Sequence, residues 1–235
     1  MDLKEEAALG GAVDDHWYYV SKAQMMAEKV KTCRQVLDVG AGSGFFSRWM
    51  LKHGMADSAV CVDPGYEIEH DRHENGKTVS FRKQIDRSSA DLVLMMDVLE
   101  HVDDDVGFLA DYVTRVEPGT RIFITVPAFE FIWSAHDDFL EHRRRYTLDQ
   151  LRGVIDAAGA QEVAGHYYFG LIFPIAAAVR LLQRGRPAES SDMAVQPAVT
   201  NAALKAACAV ERTIMGWNRV AGLSVVMLCE VPERH

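Results

Sequence analysis

The strongest constraint on the fold of this chain is a series of short runs in which consecutive residues, not alternate ones, are apolar. "QVLDV" (35–39), "SAVCVD" (58–63), "TVSFRK" (78–83), "DLVLMMD" (91–97) and "RIFITVP" (121–127) each have the length of one strand. A strand that is apolar on both faces must be covered on both, the condition of a parallel sheet flanked by helices. Helix-like segments stand between the runs. "GFFSRWMLKHG" closes at Gly54, and "VGFLADYVTRV" stops at "EPG". "TLDQLRGVIDAAG" opens on an N-cap at Thr147 and closes on Gly159. "QEVAGHYYF" and "GLSVVMLCEV" add a sixth and a seventh strand. The pattern predicts an α/β fold with a mainly parallel sheet covered on both faces.

Two regions break the rhythm. "GYEIEHDRHENG" has little apolar period, so the crossover helix expected there is short or frayed. Residues 171–220 form a helical insertion before the last strand, with helices expected over "FPIAAAVRLLQR" and "AALKAACAVERTIMGWNRV" and a mobile loop, "GRPAESSDMAVQPAVTN", between them. The chain, 1–235, is expected to be a single domain, with 15–34 as an N-terminal cap segment. A net charge of −9 argues against nucleic acid as the main partner. Cys33, Cys61, Cys208 and Cys229 form no CxxC pair, which suits reduced thiols and a cytoplasmic setting. The acidic N-terminus has no apolar core, so no signal peptide is expected, and the longest apolar run, Tyr167 to Val179, is too short to span a bilayer.

"QVLDVGAGSGFF" carries the chemistry. A strand, then glycines, then a helix start is the arrangement that binds a nucleotide-like ligand at the carboxyl edge of a parallel sheet. Gly40 and Gly42 fit the dinucleotide pattern GxGxxG, but Phe45 stands where the third glycine belongs and Gly44 comes one place early. Asp38, two residues before the first glycine, is ill suited to a pyrophosphate and well suited to a ligand ammonium. Asp63 ends the second strand, where a carboxylate can accept both ribose hydroxyls. A ligand with an ammonium, a ribose and no phosphate is S-adenosylmethionine. Phe45 and Asp38 disfavour NAD-dependent redox chemistry.

From Asp15 to Pro232 the chain resembles the class I S-adenosylmethionine-dependent methyltransferases. "VLDVGAGSG", "VDPG", "DLVLMMDVLEHVDD" and "PGTRIFITVPA" match their successive motifs. "HWYYVSK" and "HRRRYT" resemble segments of a bacterial small-molecule subset, and the nearest branch includes the ubiquinone-biosynthesis O-methyltransferases. The resemblance implies a doubly wound, Rossmann-like seven-stranded sheet in the order 3-2-1-4-5-7-6, the last strand antiparallel. It implies a transferase that moves the methyl of S-adenosyl-L-methionine to a small-molecule acceptor, a hydroxyl oxygen being expected, and leaves S-adenosyl-L-homocysteine. The expected cofactor-binding residues are Asp38, Gly40, Gly42, Gly44, Asp63, Pro64, Ile85 and Asp97, with Tyr19 and Lys22 over the methionine end. His101, His136 and His142 are the expected bases. Asp97, Glu100 and His101 have the spacing D-x-x-E-H, similar to an E-x-x-E-H pattern that, with a distant histidine whose place His136 or His142 could take, holds a divalent ion in some relatives; the expectation here is transfer without a metal. Two alternatives stand beside this reading. One is a non-catalytic nucleotide-binding module. The other is a methyltransferase of lipid-like acceptors in peripheral contact with a membrane, aided by Arg180, Arg184 and Arg186. The oligomeric state is left open.

Overall fold

In a computed structural model, which describes residues 9–183 and 196–233, the apolar runs become strands of one sheet. β1 (Cys33–Val39), β2 (Ala56–Val62), β4 (Lys77–Arg82), β5 (Leu92–Met96) and β6 (Arg121–Pro127) are parallel. β8 (Ser224–Glu230) runs antiparallel to β6, and β7 (Gln161–Tyr168) antiparallel to β8. The order is β3-β4-β2-β1-β5-β6-β8-β7. Seven of these strands stand in the order the resemblance implies. The eighth, β3 (His70–Glu74), corrects the reading of "GYEIEHDRHENG" as a frayed helix. It pairs antiparallel with β4 through Asn75-Gly76, both at positive φ (53° and 75°), the two-residue turn whose twist matches paired strands.

Burial explains why the runs are continuous. Val36, Leu92, Leu94, Met96 and Phe123 enter one core with α1 (Trp17–Lys29) and α2 (Phe45–Lys52). Leu37, Val93, Met95, Ile122 and Ile124, their neighbours in sequence, enter the other core with α3 (Asp105–Arg115) and α5 (Leu148–Ala157). Successive side chains point to opposite faces, so both must be apolar. A fully buried aliphatic side chain contributes about 1.5–3 kcal/mol, which makes these strand positions the main source of stability.

The insertion and the N-terminal segment hold each other over the sheet edge. The 171–220 region forms α6 (Phe173–Leu182) and α7 (Ala198–Arg212), the latter beginning four residues ahead of the expected segment. Asn201 Oδ1 accepts from the backbone N–H of Trp17 at 2.8 Å, so a side chain of α7 caps the first turn of α1. Lys205–Asp15 (2.5 Å) and Arg212–Glu28 (2.9 Å) add ion pairs along the same seam. Buried Glu211 accepts from the N–H groups of Gly170 and Leu171 and so seats the start of the insertion. Arg184, Arg186 and most of the expected loop lie outside the described residues. No helix among the described residues is long and apolar enough to cross a membrane.

Candidate active site

The glycine loop leaves β1 at its carboxyl end. Gly40, Gly42 and Gly44 all have positive φ (62°, 54° and 72°), which L side chains adopt at a cost, and a Cβ on Gly40 would come 2.8 Å from Val98 Cγ2. Asp63 Oδ2 accepts from Gly42 N–H at 3.0 Å and Oδ1 from Gly65 N–H at 2.8 Å, while Tyr66 Oη donates to Gly42 O at 2.6 Å. A carboxylate has about four acceptor sites, so Asp63 braces the loop and keeps capacity for two ribose hydroxyls. This loop fits a nucleoside ligand. Pro64 is exposed beside it. Asp38, in contrast, is buried and accepts from Ser47 Oγ at 2.6 Å. Burial raises its pKa, and its carboxyl ties β1 to the first turn of α2. Ile85 is half-buried, and its carbonyl accepts from Arg115.

Asp97, at the end of β5, is a non-glycine residue at φ 57°, a conformation that costs about 1–2 kcal/mol unless its surroundings hold it. Three groups hold it. Lys22 donates to Oδ2, Thr125 Oγ1 donates to Oδ1 at 3.1 Å, and Tyr18 Oη lies 3.4 Å from Oδ2. The Lys22 side chain is fully buried, and Asp97 keeps 26% of its own exposed. Burial disfavours both charges, but each holds the other: the ammonium pKa lies above its ordinary value and the carboxyl below. Lys22 was expected at the methionine end of the cofactor. It points instead into the protein, because an ammonium on the buried face of α1 needs a counter-charge there.

Beside this corner lies a cavity of about 420 Å³. Trp17, Tyr18 and Tyr19 bound it on the side of α1, and Ile172, Ala176 and Val179 on the side of the insertion. The three expected bases, His101, His136 and His142, all line it, as do Asp97 and Glu100. The donor atoms of Glu100, His101 and His142 lie within 4.8 Å of one another. Glu100 is fully buried, and neither carboxyl oxygen has a hydrogen-bond partner among the described residues. Burial, and then the charge of Asp97, raise its pKa well above the usual carboxyl value.

The run of three arginines divides. Arg143 is exposed, Arg144 Nη1 lies 3.0 Å from Asp105 Oδ2, and Arg145 is buried in a bidentate pair with Asp137 (2.8 and 2.9 Å). Asp137 also accepts from His142 Nδ1 at 2.8 Å. The sequence reading passed over Asp137 as a partner of His142; its only signal was an acid five residues before a histidine across a helix end. The acid at 97 in the D-x-x-E-H spacing is held by Lys22 and Thr125. Of the implied metal-ligand set, Glu100, His101 and the distant His142 come together and Asp97 stands apart; the chemistry below is derived without a metal.

Comparison with known proteins agrees with this fold and loop. Residues 18–164, more than half of the chain, match the family model described as "Methyltransferase domain". The ubiquinone biosynthesis O-methyltransferase of Idiomarina loihiensis is 25% identical over 162 residues, covering 60% of this chain and 65% of that protein. The demethylmenaquinone methyltransferase of Tropheryma whipplei is 28% identical over 117 residues, covering 47% of this chain and 48% of that protein. The chain thus spans about half to two thirds of the length of these relatives. The methyltransferase solved in complex with the Trm112 activator of Haloferax volcanii superposes with a TM-score of 0.61 at 19% identity, covering 100% of this chain and 99% of that one. With the glycine loop, Asp63 and the sheet order in place, the chain belongs to the class I S-adenosylmethionine-dependent methyltransferases.

Proposed function

We propose that this protein methylates a hydroxyl oxygen of a small acceptor with an apolar body, using S-adenosylmethionine. The observation that carries this reading is the cavity beside Asp97, at the carboxyl end of β5. It joins an apolar wall from α6 to one polar cluster, Glu100, His101 and His142. The relatives named for ubiquinone biosynthesis O-methylation support oxygen as the acceptor atom. The cofactor, when bound, supplies a methyl group on a positively charged sulfur. The chain's residues do the rest. Asp63 and the glycine loop bind the nucleoside, and the aromatics at the start of α1 close the cavity and exclude water. His142 receives the hydroxyl proton on the ring nitrogen that Asp137 leaves unbonded. His101, ring to ring with His142 at 4.8 Å, and His136 complete the wall against which the acceptor is aligned.

Calorimetric titration with S-adenosylhomocysteine tests the cofactor half. Asp63→Ala should weaken binding by about 1.5–3 kcal/mol, and Gly42→Val should weaken it further. Normal affinity in both variants would remove the assignment. A second reading, a lipid-like acceptor taken from a membrane surface, is favoured by the outer side of α6, where Ile175 is 71% and Leu182 82% exposed. Absence of co-sedimentation with vesicles would set it aside.

A further inference from the structure

Resting on that reading of the cavity, we propose that Asp137 is the positioning residue for His142: seated on Arg145, it holds the proton on Nδ1 and turns the Nε2 lone pair toward the acceptor. The local fold brings the two side chains together. α4 (Ala135–Phe139) is capped at Leu140 and followed by Glu141, a non-glycine residue at φ 60°. This left-handed residue reverses the chain, so that His142 N–H donates to the carbonyl of Asp137 at 2.9 Å and the imidazole folds back on the carboxylate of the same residue. A glutamate in that conformation costs about 1–2 kcal/mol, a strain the surrounding structure must hold in place.

The carboxylate is ionised and saturated. Oδ1 accepts from His142 Nδ1 and Arg145 Nε, both at 2.8 Å. Oδ2 accepts from Ser134 N–H (2.8 Å), Ser134 Oγ (3.2 Å) and Arg145 Nη2 (2.9 Å). Burial opposes its charge, but the hydrogen bond from His142 and the Arg145 guanidinium hold its pKa well below the usual carboxylate range. An ionised carboxylate can only accept, so Nδ1 must carry the hydrogen. A neutral imidazole then has its lone pair on Nε2, at the opposite edge of a ring that lines the cavity. Arg145 keeps Asp137 from being a lone buried charge, and its Nη1 anchors the pair to Ala128 O at 3.0 Å.

Asp137→Asn separates this role from the capping of α4. Three donors face Oδ2 and two face Oδ1, so the amide oxygen should take the Oδ2 place and the amide N–H should face His142. The imidazole must then accept at Nδ1 and carry its hydrogen on Nε2. Nitrogen-15 NMR of labelled protein, with the His142 signals identified by their loss in His142→Gln, reads the tautomer without cofactor or acceptor. The expected result is an Nδ1–H ring in the wild type and an Nε2–H ring in Asp137→Asn. With that shift, methyl transfer should fall about 10²–10⁴-fold in kcat with little change in acceptor KM, the range for loss of a general base. An Nε2–H ring in the wild type overturns the proposal without any variant, even if Asp137→Asn fails to fold. An unchanged kcat in a variant whose tautomer has switched overturns it equally. The tautomer result stands apart from the methyl-transfer reading, which cofactor titration and labelled-methyl transfer test on their own.

Discussion

Removing the ammonium of Lys22 is the most informative single perturbation of this architecture. Lys22→Met keeps the length of the side chain and its apolar stem but leaves Asp97 facing a buried surface without a counter-charge. The Lys22 side chain is fully buried, with Nζ also 3.1 Å from Thr125 Oγ1, so the variant loses an ion pair and a second hydrogen bond. Breaking a buried pair from one side costs about 3–5 kcal/mol. Asp97 retains 26% exposure toward the cavity, where water can partly solvate it, so the loss should lie at the lower end, about 3 kcal/mol. Urea unfolding followed by tryptophan fluorescence measures this directly. The double variant Lys22→Met/Asp97→Asn, which also removes the orphaned charge, should recover about 2 kcal/mol relative to the sum of the single changes. A Lys22→Met protein within about 0.5 kcal/mol of wild type, a typical surface effect, would refute the argument that the two charges hold one another. So would strict additivity in the double variant.

Other expectations follow from the same geometry. Gly40→Ala forces a Cβ to 2.8 Å from Val98 at a φ of 62°, and should cost about 2–4 kcal/mol in denaturant unfolding; Val98→Ala in the same chain should return part of it. His166 is buried, and burial, with Lys29 and Arg219 nearby, lowers its pKa to about 3. Its folded pKa is depressed and the neutral form belongs to the fold, so the unfolded state binds the extra proton first and stability falls as pH drops below about 6.5. Between about pH 6.5 and 4.5 this one group should remove about 2 kcal/mol, and His166→Phe should flatten that part of the urea-unfolding profile. Chelation with EDTA should leave methyl transfer unchanged, as expected of a transfer in which His142 takes the hydroxyl proton; loss of turnover restored by a divalent ion would contradict this and point to Glu100, His101 and His142 as the ligands.

The sheet was legible in the sequence because both of its faces are covered. Leu92 to Met96 are all buried, so five consecutive apolar letters correspond to five buried side chains, and no register had to be guessed. The β3–β4 hairpin was legible too. Asn75-Gly76 is a two-residue turn signal that the expectation of a crossover helix left unused. Lys22 was misplaced for a reason visible in hindsight. It shares a helical face with Tyr19, Ala23 and Met26, all buried, and that spacing places its stem inside whatever its charge prefers. Asp137 and His142 were not legible as a pair. Their meeting depends on Glu141 adopting a left-handed conformation, for which glutamate carries no propensity signal. Glu100 marks the same limit: the letters place it after β5, but only packing leaves its carboxyl buried in the cavity wall with no hydrogen-bond partner among the described residues.

The most direct test is transfer of a labelled methyl group. Purified protein is incubated with methyl-labelled S-adenosylmethionine and a panel of acceptors that share an apolar ring and differ in bearing a hydroxyl, an amine or a carboxylate. Label should move to the hydroxyl-bearing members, with S-adenosylhomocysteine formed in equal amount, and transfer should fall sharply in His142→Ala while cofactor binding persists. Label on the amine or carboxylate members alone would contradict the oxygen acceptor, and tight cofactor binding without transfer to any acceptor would contradict the enzyme.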